Sequence, residues 1–190
     1  SVIYEFNYLD IPVCLFSTSE NQKNNISDLE DLGFYLNIDL NKFLNSNKIQ
    51  SLFLALIKNL NRIKNLSKNK KISIDKKGIN RIVNSINHNK KVNVRKEISN
   101  LKPKKKNGFF KINDTFVNDF LIYRNMFENR KRSLNKSLIQ KHDHYIWWFN
   151  SSNLIEKYYY FNKKVISIFY HYKININNKS YWYGGWMSCE

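Results

Sequence analysis

Two stretches of this chain hold the residues with the most chemical capacity. The first contains Glu5, the run Glu20-Asn21-Gln22, and Asn25 behind it. A carboxylate accepts two hydroxyl hydrogen bonds from a ribose, and side-chain amides pair with phosphate or sugar oxygens. The same residues also suit an ordinary strand-to-helix loop with its cap. The second stretch is 124–149, RNMFENRKRSLNKSLIQKHDHYIWWF, with Arg124-Asn125, Arg130, Ser133, and His144 just ahead of Trp147 and Trp148. Its arginines suit an anionic substrate, and a histidine titrating near neutrality suits a general base. A structural use is open as well, with the tryptophans in a core, the arginines capping helices and His144 holding a hydrogen bond. Cys14 and Cys189 are far apart and match no metal-ligand spacing, so no metal is expected.

The elements that must position these residues follow from hydrophobic period. Ile11 to Phe16 is an apolar run bounded by Pro12 and Ser17, which predicts a buried parallel strand with Glu20-Asn21-Gln22 in the loop beyond it. Residues 24–32 follow as a helix stopped by Gly33, then Phe34, Leu36 and Ile38 as a second strand. A longer helix carries Ile49, Leu52, Phe53, Leu56, Ile57, Leu60 and Ile63. Ile72-Ser73-Ile74 reads as a short strand, and 78–86 as a helix with Ile79, Ile82, Val83 and Ile86 inward. Strands alternating with helices imply an α/β layer, whose ligands sit beyond the carboxyl ends of parallel strands.

From 87 to 107 the chain turns polar, with eight lysines and arginines and Pro103, and reads as a basic linker at a domain boundary. Beyond it come a strand at 109–112, helices over 114–126 and 137–150, and three segments of period two at 158–161, 165–173 and 181–188. Asn-Lys and Asn-Asn-Lys turns between those segments indicate an antiparallel meander. The start at Ser1 and the uncovered last strand before Glu190 lead to the expectation of an internal segment cut at both ends.

The chain has 190 residues, 42% of them hydrophobic and 15% aromatic, enough for a packed core. No apolar run is long enough for a membrane span, and a reduced, cytoplasmic setting is expected. The net charge of +17 points first to nucleic acid. Its source argues otherwise: 26 lysines face 6 arginines, beside 30 asparagines. Lysine, asparagine, isoleucine, tyrosine and phenylalanine all have AT-rich codons, whereas nucleic-acid surfaces favour arginine. A nucleic-acid partner is therefore disfavoured, and the rival reading is a non-catalytic basic protein binding RNA or an acidic polymer. Lys102 to Lys106 and the Tyr/Trp-rich meander would carry that rival.

Residues 1–86 resemble the C-terminal domain of GT-B-type nucleotide-sugar enzymes, above all the UDP-sugar hydrolases of pseudaminic acid biosynthesis. The resemblance rests on Glu5, Asp10-Ile11-Pro12, Glu20-Asn21-Gln22 and Asp75-Lys76-Lys77-Gly78-Ile79-Asn80-Arg81, with Lys76 where the family has glycine. It implies that Glu5 binds the ribose and that the Glu20-Asn21-Gln22 loop, with Asn25, lies beside the diphosphate and sugar. Residues 108–190 resemble GNAT-type N-acetyltransferases that act on amino groups of nucleotide sugars. Leu121, Arg124-Asn125, Arg130, Ser133, Ile139, His144 and Trp147 carry that likeness, with Tyr123 where tryptophan is usual. It implies that the two helices form the acceptor side, with Arg124, Asn125, Arg130 and Trp147 toward the substrate. The strand Tyr181 to Trp186, with Tyr183, Gly184 and Gly185, would then hold the pantetheine arm of acetyl-CoA. The expected fold class is α/β: a Rossmann-like GT-B C-terminal half-domain over 1–86, a linker over 87–107, and a truncated α+β GNAT domain over 108–190. The expected ligands are a UDP-amino-sugar and acetyl-CoA, the latter at a site expected to be incomplete in this chain, without the Gly-rich pyrophosphate turn that the resemblance implies.

Overall fold

The computed structural model describes residues 2–31, 33–40, 45–68, 77–88, 108–151, 155–162 and 165–189. It is a mixed α/β protein, and the described residues form two small sheets. The expected strand at Ile72–Ile74 and most of the expected linker lie outside the described residues.

In the first part, α1 (Val2–Tyr8) leads through Asp10, at φ 54, into β1 (Cys14–Ser17). Helix α2 (Glu20–Asp31) ends in a Schellman turn: Phe34 N–H donates to Leu29 O at 3.0 Å and Gly33 N–H to Glu30 O at 2.9 Å. Gly33 has φ 101, which a residue with a Cβ rarely adopts. Leu29 and Phe34 then meet in a small cluster with Leu15, the apolar contact that accompanies this turn. The chain continues into β2 (Leu36–Asp39), which pairs with β1 in parallel, as the sequence predicted.

The single long helix expected over 49–63 is two helices, α3 (Ser46–Lys58) and α4 (Leu60–Lys68). Asn59 makes the break: its side-chain amide donates to Ala55 O at 2.9 Å, competing with the helical ladder. Leu52, Leu56, Ile63 and Leu66 are buried, whereas Phe53, Ile57 and Leu60 stay exposed. Helix α5 (Gly78–His88) departs further from expectation, because its apolar face is exposed, Ile79 at 75% and Ile86 at 72%.

In the second part, β3 (Gly108–Lys111) and a 3-10 turn (Asp114–Phe116) precede α6 (Val117–Asn125), α7 (Phe127–Lys131) and α8 (Lys141–Ser151). Asn113 caps the turn by accepting from Thr115 N–H at 3.0 Å. Then come β4 (Ile155–Asn162), β5 (Val165–Ile176) and β6 (Lys179–Cys189). The four strands form one antiparallel sheet in the order β3-β4-β5-β6. Asn177 and Asn178, at φ 50 and 60, make the two-residue turn that matches the twist of a hairpin.

Side chains from both parts share one core. Leu36, Ile38, Leu52, Leu56 and Ile63 lie in the same buried cluster as Val117, Phe120, Tyr145, Trp148, Ile168 and Met187. Polar bridges reinforce it. Lys141 Nζ reaches Glu30 Oε2 at 2.7 Å, and Lys48 Nζ reaches Asp143 Oδ1 at 3.0 Å. Arg62 Nε donates to Asp114 Oδ2 at 3.0 Å, while Trp148 Nε1 donates to Asp114 Oδ1 at 2.9 Å.

Candidate functional site

The run Glu20-Asn21-Gln22 lies beyond the carboxyl end of β1 but forms the first turn of α2 rather than a loop. Gln22 is committed to that turn: its Oε1 accepts from Thr18 N–H at 2.9 Å and from the Thr18 hydroxyl at 3.3 Å. Asn21 accepts from the Ser19 hydroxyl at 2.6 Å. Glu20, Asn25 and Glu5 are exposed. Ile3 of α1 and Ile26 of α2 pack on the same small cluster, so the helices carrying Glu5 and Asn25 lie against one body.

The motif at 124–130 spans the end of α6 and most of α7, and its side chains grip the loop between α7 and α8. Arg124 Nη2 donates to Asn135 O at 2.8 Å, and Arg130 Nη1 donates to Lys136 O at 3.0 Å. Asn125 grips Ile139 at both ends of its amide, donating to its carbonyl at 2.9 Å and accepting from its N–H at 2.9 Å. Arg130 Nε also donates to Asn125 O at 3.0 Å, tying the motif to itself. Of these donors, Arg124 Nη1 is buried and has no hydrogen-bond partner among the described residues. Arg124, Asn125 and Arg130 are thus brought together, each spending side-chain hydrogen bonds on backbone carbonyls.

His144 does not meet the needs of a general base. It is 2% exposed, and its Nε2 lies 2.8 Å from Val117 O. Phe120, Trp147 and Trp148 surround its ring at 5.5 to 6.0 Å. Loss of apolar contacts at this position costs packing, so the residue is a core histidine that ties α8 to α6. Trp147 is half-buried and packs on Phe120 at 5.7 Å. Beside it, Tyr145 is fully buried, with its hydroxyl 2.7 Å from Asn118 Oδ1, and burial holds that phenol well above its usual range.

The glycines of β6 do not form a bulge; the register with β5 runs unbroken from Ile166↔Cys189 to Ile176↔Lys179. They serve a close approach, made here by Tyr170. A Cβ on Gly185 would overlap the Tyr170 ring, and one on Gly184 would come within 2.9 Å of Tyr170 O.

Asn129 also belongs to this region. This buried residue in the middle of α7 donates to Ser188 O at 3.1 Å and accepts from Ser188 N–H at 3.2 Å. Its side chain therefore docks on the edge of β6 away from β5. In an antiparallel strand the backbone sense repeats every second residue, so the N–H and C=O groups of Trp186, Gly184 and Trp182 face the same way. Among the described residues β6 has a strand partner on one side alone. An open row of donors and acceptors, beginning where Asn129 ends it, suits an extended amide-bearing ligand. A buried asparagine between Arg124-Asn125 and Arg130 was the available signal, lost among the many asparagines of the chain.

No group of three His, Cys, Asp or Glu residues that could hold a metal occurs among the described residues, and none of their helices is long and apolar enough to cross a membrane. No family model, curated protein or solved structure matches this chain.

Proposed function

We propose that this chain combines part of a UDP-amino-sugar hydrolase or GT-B-like unit with part of an acetyl-CoA-dependent N-acetyltransferase of pseudaminic- or legionaminic-type sugar synthesis. The observation that carries the reading is the arrangement of 108–189: strand, helices, then three antiparallel strands in the order β3-β4-β5-β6, with Gly184 on the open edge. That succession is what the acetyltransferase resemblance implies. The parallel β1–β2 pair, with Glu20 to Gln22 beyond its carboxyl end, supports the nucleotide-sugar half.

The residues present fit the cofactor's pantetheine arm at one place. The outward N–H and C=O groups of Gly184 and Trp186 would pair with its amides, and Gly184 offers no side chain on the strand face. Acetyl-CoA, when bound, supplies an activated acetyl thioester. Asn129 fixes the end of that edge, and Arg124, Asn125 and Arg130 shape the loop that faces an acceptor. No general base is assigned, since His144 is enclosed.

The test is thiol release from acetyl-CoA in the presence of a UDP-amino-sugar, alongside calorimetry with UDP. Thiol release that depends on the sugar, and UDP heat that weakens in Glu5→Ala, support the reading. A folded sample that gives neither contradicts it.

A further inference from the structure

One face of the antiparallel sheet is used by the core, which takes Ile166, Ile168 and Met187 from alternate positions. The strand period of two therefore assigns Phe169, His171, Trp182 and Trp186 to the opposite face. Among the described residues, Phe169, Trp182 and Trp186 on that face are exposed, Trp182 at 63% and Trp186 at 59%, and so is Phe109 at 57%. These rings are not scattered. Phe109 and Phe169 lie 5.9 Å apart, and His171 and Trp182 lie 5.1 Å apart. The register lines up Lys111, Tyr158, Phe169 and Trp186 across all four strands and sets Lys173 opposite Trp182. Arg132 places its guanidinium 5.8 Å from the Trp186 ring.

A contiguous aromatic patch of this kind on a folded surface marks a binding site. Its occupant is constrained by charge. The chain carries +17, so a second copy is repelled and an anion is drawn in. Exposed rings on a sheet face stack with bases, and duplexes keep their base faces hidden. Stacking also needs no bidentate arginine, so the lysine-rich composition that argues against sequence-specific readout does not argue against this surface. We propose that the outer face of β3-β4-β5-β6 binds single-stranded nucleic acid, with bases on Phe109, Phe169, Trp182 and Trp186 and phosphates met by Lys111 and Arg132.

The experiment is tryptophan quenching by an oligouridylate of about fifteen nucleotides, with a salt series, a duplex of equal length and UDP as comparisons. Saturable quenching that weakens as salt rises, with the duplex binding less, is the expected result. Trp182→Ala and Trp186→Ala remove exposed rings, so both variants should keep the circular dichroism of the parent. Each should weaken binding by roughly 5- to 100-fold. No saturable quenching at low salt, or unchanged affinity in the folded double variant, overturns the proposal. Equal affinity for the duplex overturns it too, and so does quenching by UDP alone with the same affinity. Sedimentation that shows self-association abolished by the double variant would give the face to a second copy instead.

Discussion

Asn125→Ala separates a scaffolding role for the Arg124–Arg130 motif from a substrate-binding one. The Asn125 amide makes two hydrogen bonds to Ile139, both 2.9 Å, and both are partly buried. A net contribution of about 1 kcal/mol per bond gives a loss of about 2 kcal/mol, rising toward 4 if the freed Ile139 groups stay dry. For a chain of this size a loss of about 2 kcal/mol corresponds to a fall in Tm of about 4–8 °C. Asn125→Asp is the sharper variant: it keeps the acceptor for Ile139 N–H but sets a carboxylate oxygen against Ile139 O. It should lose at least as much. Urea unfolding at constant m measures the change, and amide exchange at Ile139 should accelerate in both variants. An unchanged midpoint together with unchanged exchange would refute the scaffold reasoning. It would leave the Asn125 side chain available to a ligand.

Other perturbations follow from the same contacts. Asp114→Ala removes the acceptor of Trp148 Nε1 and breaks the Arg62–Asp114 ion pair, which is about a quarter exposed, and should cost about 2–3 kcal/mol in urea unfolding. Gly185→Ala should destabilise by about 1–3 kcal/mol, because its methyl meets the Tyr170 ring, and a double-mutant cycle with Tyr170→Leu should recover part of the loss. Burial, aided by Lys48 and opposed by Asp143, holds the His142 imidazole below its usual 6.5. The unfolded chain then takes up the proton first, so stability is highest above pH 6.5 and falls as pH drops from there to the folded-state pKa. His142→Gln should flatten that part of the profile in a series of thermal melts. Burial pushes the Cys14 thiol up to about 12, so alkylation at pH 8 should be slow in the folded protein and fast in urea.

Much of this fold is legible in the residues, and the exceptions have physical causes. Gly33 announced its turn because one positive-φ residue must close a Schellman motif, and Asn177-Asn178 announced a hairpin for the same reason. The break at Asn59 was hidden, since apolar spacing persists through Leu60 and Ile63 while a side-chain amide interrupts the ladder. Helix α5 shows the limit of periodicity: Ile79, Ile82, Val83 and Ile86 line one face, but a pattern does not say what covers it. At the candidate site, the stretch 124–149 stands out by composition alone. Which atoms its side chains grip depends on the 132–140 loop, whose path no local pattern specifies. His144 illustrates the point, because only the packing of α8 on α6 decides that its nitrogen meets Val117 O.

The most direct test of the acetyltransferase reading is backbone amide mapping during an acetyl-CoA titration of the isotope-labelled chain. Saturable shifts are expected at Gly184 and Trp186 on the open edge of β6, weakened in Asn129→Ala, with little change at Ile166 and Ile168 in the core. Saturating acetyl-CoA that leaves Gly184 and Trp186 unmoved would contradict that reading.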